Sequence, residues 1–526
     1  MKNFRSVTKT LQTFNSLRIP YRSAGGDCGG GSAGGKKGVV LGVYDGCSPG
    51  EYKLTTATQR FDEVNGGKIN TLIKGTDIKA GTCQVFANVS NDFNTVAVSN
   101  IGNEGVGYNE LEKLDECKEN IRVAAAVGAR ALQNEGMTTI FVEGFTNAEP
   151  AAEGSLLSVW RYQEQRSEEG RFPEVNVDLF DSEDRESWQR GKLKADCQNL
   201  ARRIEETPSN LMTPSIFAGV AIDTLCPCGV AVDVRDKDWI ESSKMSAFLS
   251  ISKGSCEPPL LLEMGYCGGS PDGQPIVLSG KGITFDSGGL CLKNCPGMSE
   301  YRGDLAGAAV VLAVMKCVAM LSLPINVIGL IPLCENMIGG MATKPGDVVM
   351  SRNGKTIKIE DTDNEGRVVL ADILPYACYL KPCLIVNVAT LTPGMKKTLG
   401  TGASGTFTNS HSLYRELERA GSETGDRVWR FPFWRFYTQR VTDCIGVDVT
   451  NVGKGVGGGP CLGAAFLKEF ITNEEFIHLD ITGTGMLSNG VGHPYLRKGL
   501  MTGRPVRTIV QFLYQIACPH DKGDDC

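Results

Sequence analysis

The sequence predicts an α/β protein with two α/β domains, the larger C-terminal one built on a mainly parallel sheet covered by helices on both faces. Two observations lead to this fold class. The chain has 526 residues, of which 41% are hydrophobic and 22% are charged, so it can bury more than one large core. Short apolar runs of strand length alternate with segments of helix length, an order that favours parallel pairing of buried strands.

The first domain is predicted over residues 38–190. A segment with the spacing of an amphipathic helix, NIRVAAAVGARALQNEG, lies between its strands and ends at a glycine. The charged residues 163–192 are expected to form a surface excursion, and a helix over residues 191–214 is expected to connect the domains. The predicted strands are GVVLGVY, CQVFANV, TVAVSNI and TTIFVEGF.

The second domain is predicted over residues 215–526. Its apolar runs are separated by helix-length segments, as in a sheet covered on both faces. Ligands of such sheets bind beyond the carboxyl ends of the strands, so we expect the chemistry in the loops there. The predicted strands are AVDVRD, AFLSIS, PLLLEMGY, PIVLSGKG, NVIGLIPL, TIKIED and LIVNVATL.

Residues 1–37 are predicted to be a leader and a linker that precede the two domains. Residues 1–24 combine basic and hydroxyl residues with apolar residues at helical spacing and contain no acid, a composition typical of a mitochondrial transit peptide. The glycine-rich stretch that follows cannot hold a helix and is predicted to be flexible. Mitochondrial localisation is therefore expected, and a basic tail on a cytoplasmic protein is the alternative.

Charge and composition argue against several classes of protein. The formal net charge of -6 gives no support for a nucleic-acid or anionic-membrane partner, since both need a concentrated basic face. The most apolar stretch, AGAAVVLAVMKCVAMLSL, contains Lys316 and is predicted to be a buried helix rather than a membrane span. The 19 cysteines are scattered without the paired spacing of a zinc knuckle, so free thiols are predicted.

Two loops at predicted strand ends carry the candidate chemistry. The first, residues 277–309, is glycine-rich and apolar, and the second, residues 359–372, crowds acidic side chains just before an apolar helix. The Gly-Lys-Gly of the first loop lacks the spaced glycine and the hydroxyl residue of a phosphate-binding loop. The charged residues that punctuate the first loop are Lys281, Asp286, Lys293 and Asp304.

The acidic segment DTDNEGR of the second loop favours a metal site. Carboxylates grouped in an apolar neighbourhood repel one another and lose hydration unless cations compensate them. Asp363 and Glu365 are two residues apart, so an extended backbone directs both side chains, and that of Arg367, to one side. Neither loop contains a histidine, so the pattern favours carboxylates around two divalent ions, with a solvated acidic turn as the alternative.

The two loops resemble those of the M17 leucyl aminopeptidase family. The matching motifs are GKGITFDSGG, then Lys293, then RGD, and finally DTDNEGR. The likeness continues through EETPSNLMTP, NVATLT, LGAAFLKEF, HLDITGTG and TGRPVRTIVQFL, so that it spans residues 200 to 515. Tyr301 and Pro393 depart from the family pattern, so the resemblance does not fix which first side chain is preferred.

This resemblance implies a catalytic peptidase domain with two divalent metal ions per subunit. One ion would be held by Asp286, Asp363 and Glu365, and the other by Lys281, Asp286, Asp304 and Glu365. It further implies that Lys293 and Arg367 are catalytic, with a bicarbonate ion at Arg367. Thr390 and Leu391 would line the substrate site. The oxygen-rich ligand set accepts zinc, manganese or magnesium.

The implied activity is release of N-terminal amino acids from peptides by metal-activated water. Peptides are then the substrates, and a homohexamer with active sites facing an interior cavity is the implied assembly. The main alternative is a catalytically weak or inactive structural paralogue that keeps the fold and forms an oligomeric assembly. A metal-dependent phosphoesterase is a further alternative, but it does not explain a lysine among the ligands.

Overall fold

The computed structural model describes residues 35–518. The predicted leader therefore lies almost entirely outside the described residues, and its last residue, Lys37, already begins the first strand. Within the described part, two central sheets, of six and nine strands, are each packed against helices, which confirms the mixed α/β fold in two domains.

The smaller sheet has the strand order β3-β4-β1-β7-β8, with β2 paired to β1. Strands β4, β1, β7 and β8 are parallel, whereas β2 and β3 pair antiparallel with their neighbours. Its core is apolar on both faces. The elements of this part are β1 (Lys37–Asp45), β2 (Tyr52–Leu54), α1 (Thr56–Val64), α2 (Lys68–Ile73), β3 (Cys83–Ala87), β4 (Thr95–Asn100), β5 (Tyr108–Asn109), β6 (Leu114–Asp115), α3 (Glu116–Asn134), β7 (Thr139–Glu143), α4 (Ala148–Val159), β8 (Asn176–Phe180) and α5 (Arg185–Glu206).

The prediction that residues 163–192 form a surface excursion is wrong for the second half of this segment. Strand β8 lies at the edge of the sheet and buries only the alternate residues Val177 and Leu179, so its exposed acids hid the strand pattern. The connecting helix α5 also begins earlier than predicted, at Arg185, where Asp184 accepts a hydrogen bond from the backbone N–H of Ser187.

The larger sheet has the strand order β18-β17-β20-β16-β11-β13-β10-β9, with β12 paired to β13. Its centre, β20, β16, β11 and β13, is parallel. The remaining elements are α6 (Pro214–Leu225), β9 (Ala231–Arg235), α7 (Lys237–Ser242), α8 (Ser246–Ser252), β10 (Leu260–Cys267), β11 (Ile276–Gly280), β12 (Gly282–Asp286), α9 (Ala306–Met320), β13 (Asn326–Asn336), β14 (Val348–Met350), β15 (Thr356–Lys358), α10 (Glu365–Tyr379), β16 (Leu384–Ala389), α11 (Pro393–Leu399), β17 (Ser404–Thr408), α12 (His411–Thr424), β18 (Val428–Arg430), α13 (Arg435–Thr442), β19 (Val449–Thr450), α14 (Gly459–Lys468), β20 (Glu475–Asp480) and α15 (Val506–Ala517).

Two predicted strands of this part need correction. The segment AFLSIS is the short helix α8, in which Ala247, Phe248 and Ile251 are buried at helical spacing. Its apolar run is too short for periodicity to distinguish a buried strand from a buried helix. The segment TIKIED forms only the three-residue strand β15, which pairs with β14 and β19 in a small separate sheet.

Helix α9 is the most apolar helix of the described chain, and it positions one side of the site. The run Met298–Met320 has the length and hydropathy of a membrane span, but 89% of its apolar window is buried inside the protein. A Cβ at Gly307 would lie 2.2 Å from the carbonyl oxygen of Val388, so only glycine permits this approach of α9 to β16. The helix therefore begins directly against the carboxyl ends of the strands.

Buried ion pairs join the two domains. Glu153 on α4 accepts hydrogen bonds from Arg122 on α3 at 2.8 Å and from Arg507 on α15 at 2.6 Å, and all three side chains are buried. Burial alone raises the pKa of Glu153, but the charges of Arg507 and Arg122 offset this and lower it to about 2. The carboxylate is therefore ionised and shared between the domains at neutral pH.

The close contact between α3 and α4 predicts that replacing its glycine will lower stability, whereas replacing an exposed glycine on α6 will raise it. A Cβ at Gly154 of α4 would lie 1.9 Å from the carbonyl oxygen of Arg122, so Gly154→Ala should destabilise the fold by about 1–3 kcal/mol or more. Gly219 of α6 has no atom within 4 Å of such a Cβ, so Gly219→Ala should stabilise it by about 0.5–1 kcal/mol. Thermal melts of both variants test this, and equal midpoints would contradict the packing described.

Candidate metal centre

The candidate site lies at the carboxyl ends of the parallel strands in the larger sheet. Lys281 follows β11, Asp286 ends β12, and Thr390 follows β16. Asp304 stands in the 3-10 turn just before α9, and Glu365 is the first residue of α10. The structure thus brings together residues from both sequence loops, because strands that are distant in the chain end at the same edge of the sheet.

Lys281 forms the centre of one half of the cluster. Its Nζ lies 2.7 Å from Asp304 Oδ2 and 2.7 Å from Glu365 Oε1, and it donates a hydrogen bond to the carbonyl oxygen of Thr390 at 2.9 Å. The side chain is buried, and burial lowers its pKa, but Asp304, Glu365 and Asp286 more than offset this, so its pKa is raised. Lys281 is therefore a charged ammonium group while no other cation stands beside it.

Lys293 forms the centre of the other half. Its Nζ lies 2.8 Å from Asp286 Oδ2 and also contacts Asp363 Oδ1. The same ammonium group lies 4.0 Å from the centre of the Tyr301 ring, a cation–π contact that restrains it on its open side. Lys293 therefore links the first loop to the acidic segment of the second.

The sequence analysis missed Asn336 and Gly288 as groups that fix the ligand oxygens, and it expected Thr390 only to line the substrate site. Asn336, at the end of β13, donates a hydrogen bond to Asp286 Oδ1 at 2.8 Å, and the Thr390 hydroxyl donates to Asp304 Oδ1 at 2.7 Å. The backbone N–H of Gly288 also donates to Asp286 Oδ1, at 2.9 Å. Their position at strand ends, beside predicted ligands, was the signal in the sequence that could have indicated them. The spacing of residues along the chain does not show which strands are neighbours.

Asp361 supports the turn that carries two of the predicted ligands. Its carboxylate accepts hydrogen bonds from the backbone N–H of Asp363 at 2.9 Å and from the side-chain amide of Asn364 at 2.8 Å. This is the Asx-type arrangement by which aspartate stabilises a turn. The first acidic residue of the segment DTDNEGR therefore acts on the backbone between β15 and α10.

The cluster carries more negative than positive charge. Four carboxylates, those of Asp286, Asp304, Asp363 and Glu365, face the two ammonium groups. Burial, together with the charge of Asp286, raises the pKa of Asp363 to about 7. Burial likewise raises the pKa of Asp304 well above its usual range, although Lys281 opposes the shift. Protein groups alone therefore do not compensate the charge.

The donor set fits divalent metal ions. Asp286, Asp363 and Glu365 each offer an oxygen, and these atoms lie within 4.8 Å of one another. Asp304 Oδ2, Asp363 Oδ1 and Glu365 Oε1 are buried and accept no hydrogen bond of normal geometry from the described residues; their close contacts are with lysine ammonium groups. Unsatisfied buried carboxylate oxygens of this kind are the ligands that hard divalent cations use.

Arg367 lies in the first turn of α10 beside this cluster. It is 4% exposed and donates one hydrogen bond, to the carbonyl oxygen of Asn451 at 2.7 Å, while its buried Nε has no hydrogen-bond partner among the described residues. Burial lowers its pKa to about 10, although the charge of Glu365 opposes the shift. The side chain is thus cationic at neutral pH and keeps an N–H for an anionic ligand.

Thr390 and Leu391 follow β16 at the edge of the cluster. Thr390 contacts both Lys281 and Asp304, so its observed contacts hold two of the predicted ligands in place. The backbone N–H of Leu391 lies 3.4 Å from Asp480 Oδ1, at the end of β20, and both residues are buried. Among the described histidines, His478 is nearest in the sheet, but its Nδ1 is bonded to Asn387 at 2.7 Å.

Family models cover most of the chain. The model described as "Cytosol aminopeptidase family, catalytic domain" matches residues 199–510, and the one described as "Cytosol aminopeptidase family, N-terminal domain" matches residues 40–169. Among relatives, the cytosol aminopeptidase of Bos taurus is 46% identical over 488 residues, which is 91% of this chain and 93% of that protein. The cytosol aminopeptidase of Homo sapiens is 45% identical over the same length and the same shares.

Solved structures agree with this likeness. The bottromycin maturation enzyme BotP superposes with a TM-score of 0.77 at 27% identity, covering 92% of this chain and 99% of that one. The same enzyme in complex with Mn also superposes with a TM-score of 0.77, at 28% identity and over 91% and 99% of the two chains.

The packing of Gly366 against Lys281 predicts a specific defect. A Cβ at Gly366 would lie 2.5 Å from Lys281 Cε, so Gly366→Ala should push the amine away from Asp304 and Glu365. We expect Mn²⁺ binding measured by calorimetry to weaken by about tenfold or more, as for other groups that orient metal ligands. Gly402→Ala, where a Cβ meets its nearest atom at 3.4 Å, is the control. Unchanged Mn²⁺ affinity in Gly366→Ala would show that Lys281 need not hold this position.

Proposed function

The chain belongs to the cytosol aminopeptidase family and is a metal-dependent aminopeptidase, and we propose that its chemistry takes place at the cluster around Lys281 and Lys293. The observation that carries this assignment is the cluster itself, in which both family loops converge at the carboxyl ends of the larger sheet. A purely structural paralogue is not favoured, because each predicted ligand and catalytic residue is present and close to another member.

Divalent metal ions are the cofactor, and we propose that there are two per subunit. One would be held by Asp286, Asp363 and Glu365, and the other by Lys281, Asp286, Asp304 and Glu365. The grouped oxygens and the contact of Lys281 with two carboxylates support this division. The ions would supply Lewis acidity toward a carbonyl group and would lower the pKa of a water molecule. Lys281 ligates only as a neutral amine, so it must release its proton when cations replace it as the neutralising charge.

In this proposal Lys293 stabilises the negative charge that develops on the scissile carbonyl oxygen. Its ammonium group is largely buried, and burial lowers its pKa, but Asp286 and Glu365 more than offset this, so the pKa is raised and the group stays protonated. The Tyr301 ring limits where this charge can move. A fixed charge in a site with little water stabilises a developing oxyanion more than a mobile one does.

We further propose that Arg367 would hold a bicarbonate ion, which would supply a general base when bound. Its buried Nε without a partner supports an anion at this position, since a guanidinium group pairs with planar oxyanions. With no histidine contacting the described cluster, a bound anion supplies the base that the side chains do not. Thr390 and Leu391 would line the substrate site next to it.

Peptides are the substrates that the family implies, and three further properties belong to the proposal. The subunits would form a homohexamer, the ions would be zinc, manganese or magnesium, and the protein would act in mitochondria. The composition of residues 1–24 supports the mitochondrial location, and the Mn-bound state of the similar bottromycin maturation enzyme supports manganese. A cytoplasmic location is the alternative.

Metal removal should abolish the activity reversibly. We expect the metal-free protein without residues 1–35 to hydrolyse aminoacyl-coumarins only after addition of Mn²⁺ or Zn²⁺, and to spare N-acetylated versions. Asp363→Ala should lose at least about a hundredfold in rate because it removes a ligand. Asp443→Ala, whose side chain is 76% exposed, is the matched control. Full activity in Asp363→Ala, or in metal-free protein, would refute the proposed centre.

Replacement of Arg367 tests the bicarbonate proposal. Lysine keeps the charge but cannot form the guanidinium fork, so Arg367→Lys should lower kcat by about 100-fold and remove the response to added bicarbonate. Arg440→Lys, at a half-buried arginine that donates a hydrogen bond to the carbonyl oxygen of Lys454, should behave like wild type. Rates are compared in bicarbonate-free buffer and after titration with bicarbonate. A variant that still responds to bicarbonate would place the base elsewhere.

A further inference from the structure

A cavity of about 600 Å³ opens at the carboxyl ends of β1, β7 and β8 in the smaller sheet. The chain passes from β1 to β4 on one side of it and then to β7 on the other, so the strand order reverses at β1. Helix α1, after β1, and helix α4, after β7, pack into different apolar cores. The crevice between such diverging loops is where doubly wound sheets bind ligands.

The floor of this cavity contains a buried acid with an unused oxygen. Glu143, the last residue of β7, is fully buried, and its Oε2 accepts hydrogen bonds from the hydroxyls of Thr55 and Thr58, both at 3.0 Å. Its Oε1 has no hydrogen-bond partner among residues 35–518. A buried carboxylate oxygen without a partner is costly, so a donor group of a ligand would relieve it.

The local sequence makes room for this carboxylate. A Cβ at Gly42 of β1 would lie 2.9 Å from Glu143 Oε1 and 2.6 Å from the Phe145 ring, so a larger residue would displace both. Thr55 is the N-cap of α1 and Thr58 lies in its first turn, so the two hydroxyls on Oε2 are fixed by the helix. Oε1 is left without a partner just beneath the surface of the cavity, so a donor group reaches it after a small movement of the Glu143 side chain.

The rim of the cavity carries both charges: its lining includes the basic residues Lys53, Arg60 and Arg185 and the acidic residues Glu104, Asp181 and Glu183, and Lys53 pairs with Glu104. Arg60 pairs with Asp181 at 3.0 Å through its Nε, which leaves its other N–H groups, while Arg185 forms no ion pair within the described chain. The N-termini of α1 and α5 also face the cavity, since residues 55–57 and 185 line it. Backbone N–H groups at helix N-termini and guanidinium groups both favour an anionic group.

We propose that this cavity binds a small zwitterion, a free α-amino acid or short peptide, whose ammonium group donates to Glu143 Oε1 and whose carboxylate lies near Arg60 and Arg185. An acceptor on the floor and cationic groups on the rim are complementary to the two charges of such a ligand. Its size also lies within the range of about 300–1,000 Å³ typical of small-molecule pockets. The evidence for the binding site is these contacts alone, whereas the role of the ligand as product or substrate of this enzyme rests on the proposed function.

The electrostatics of Glu143 agree with this assignment. Burial raises the pKa of Glu143 to about 7, although the hydroxyls of Thr55 and Thr58 lower it in part. Without a ligand, the Glu143 carboxyl group is therefore partly protonated and partly ionised at neutral pH. An ammonium group beside it would stabilise the ionised form.

Calorimetric titration of the full-length Asp363→Ala protein tests the site without hydrolysis of the probes. The probes are leucine, the dipeptide Leu-Gly, and the two partial analogues isopentylamine and 4-methylpentanoate. We expect one molecule of leucine or Leu-Gly to bind per chain, and the tighter of the two identifies the ligand length. Both partial analogues should bind at least tenfold more weakly. Because no turnover is measured, the outcome is independent of the proposed catalytic mechanism.

Variants at the floor and the rim locate the bound probe. In the same background, Glu143→Gln, which keeps the shape but places an amide at the floor, should weaken leucine binding at least tenfold. Arg60→Gln should weaken the binding of leucine but not the binding of isopentylamine. Because Arg60 is exposed, this result does not depend on whether the core tolerates a substitution. Glu51→Gln, an exposed acid outside the cavity, is the matched control.

Three results would overturn the proposal. The first is that leucine does not saturate any site in the Asp363→Ala protein, although the wild type binds it, which would assign binding to the metal centre alone. The second is equal affinity in Glu143→Gln and Glu51→Gln, with thermal melts showing both folded. The third is isopentylamine binding as tightly as leucine, which would make the ligand an amine rather than a zwitterion.

Discussion

Mutual repulsion among buried carboxylates is the constraint around which the larger domain is organised. Asp286, Asp304, Asp363 and Glu365 converge where little water reaches them, and Lys281 and Lys293 neutralise only part of their charge. Such a cluster is costly in a folded protein unless cations bind it or some of its carboxyl groups stay protonated. Metal affinity and fold stability are therefore linked, since ions that bind only the folded chain stabilise it.

Close backbone packing holds this charged cluster in place. Gly307 lets α9 approach β16, and Gly366 lets the start of α10 lie against the Lys281 side chain. Fixed hydrogen bonds from Asn336 and Thr390 then orient the carboxylates of Asp286 and Asp304. The glycines set how near the elements come, and the polar residues set where the oxygens point, so neither set alone would produce the site.

The fold class and the pairing of the two loops could be predicted from the sequence because they depend on local patterns. Strands such as β11 and β16 are mostly apolar and fully buried, and the metal-ligand loops carry distinctive charged motifs. Strand β8 was missed because it is half exposed at a sheet edge, and α8 because its seven residues, four of them apolar, fit strand and helix equally. The roles of Asn336 and Asp480 could not be predicted, since they follow from which strands are neighbours.

The buried carboxylate of Glu153 pairs with an arginine of each domain: Arg122 of the smaller domain and Arg507 on α15 of the larger one. During synthesis on the ribosome the smaller domain emerges first, yet the second guanidinium group that pairs with its acid, that of Arg507, lies 354 residues further along the chain. Until then Glu153 has one arginine where the finished protein has two. The order of translation therefore delays completion of the domain that is made first, and couples its final packing to the synthesis of α15 in the larger domain.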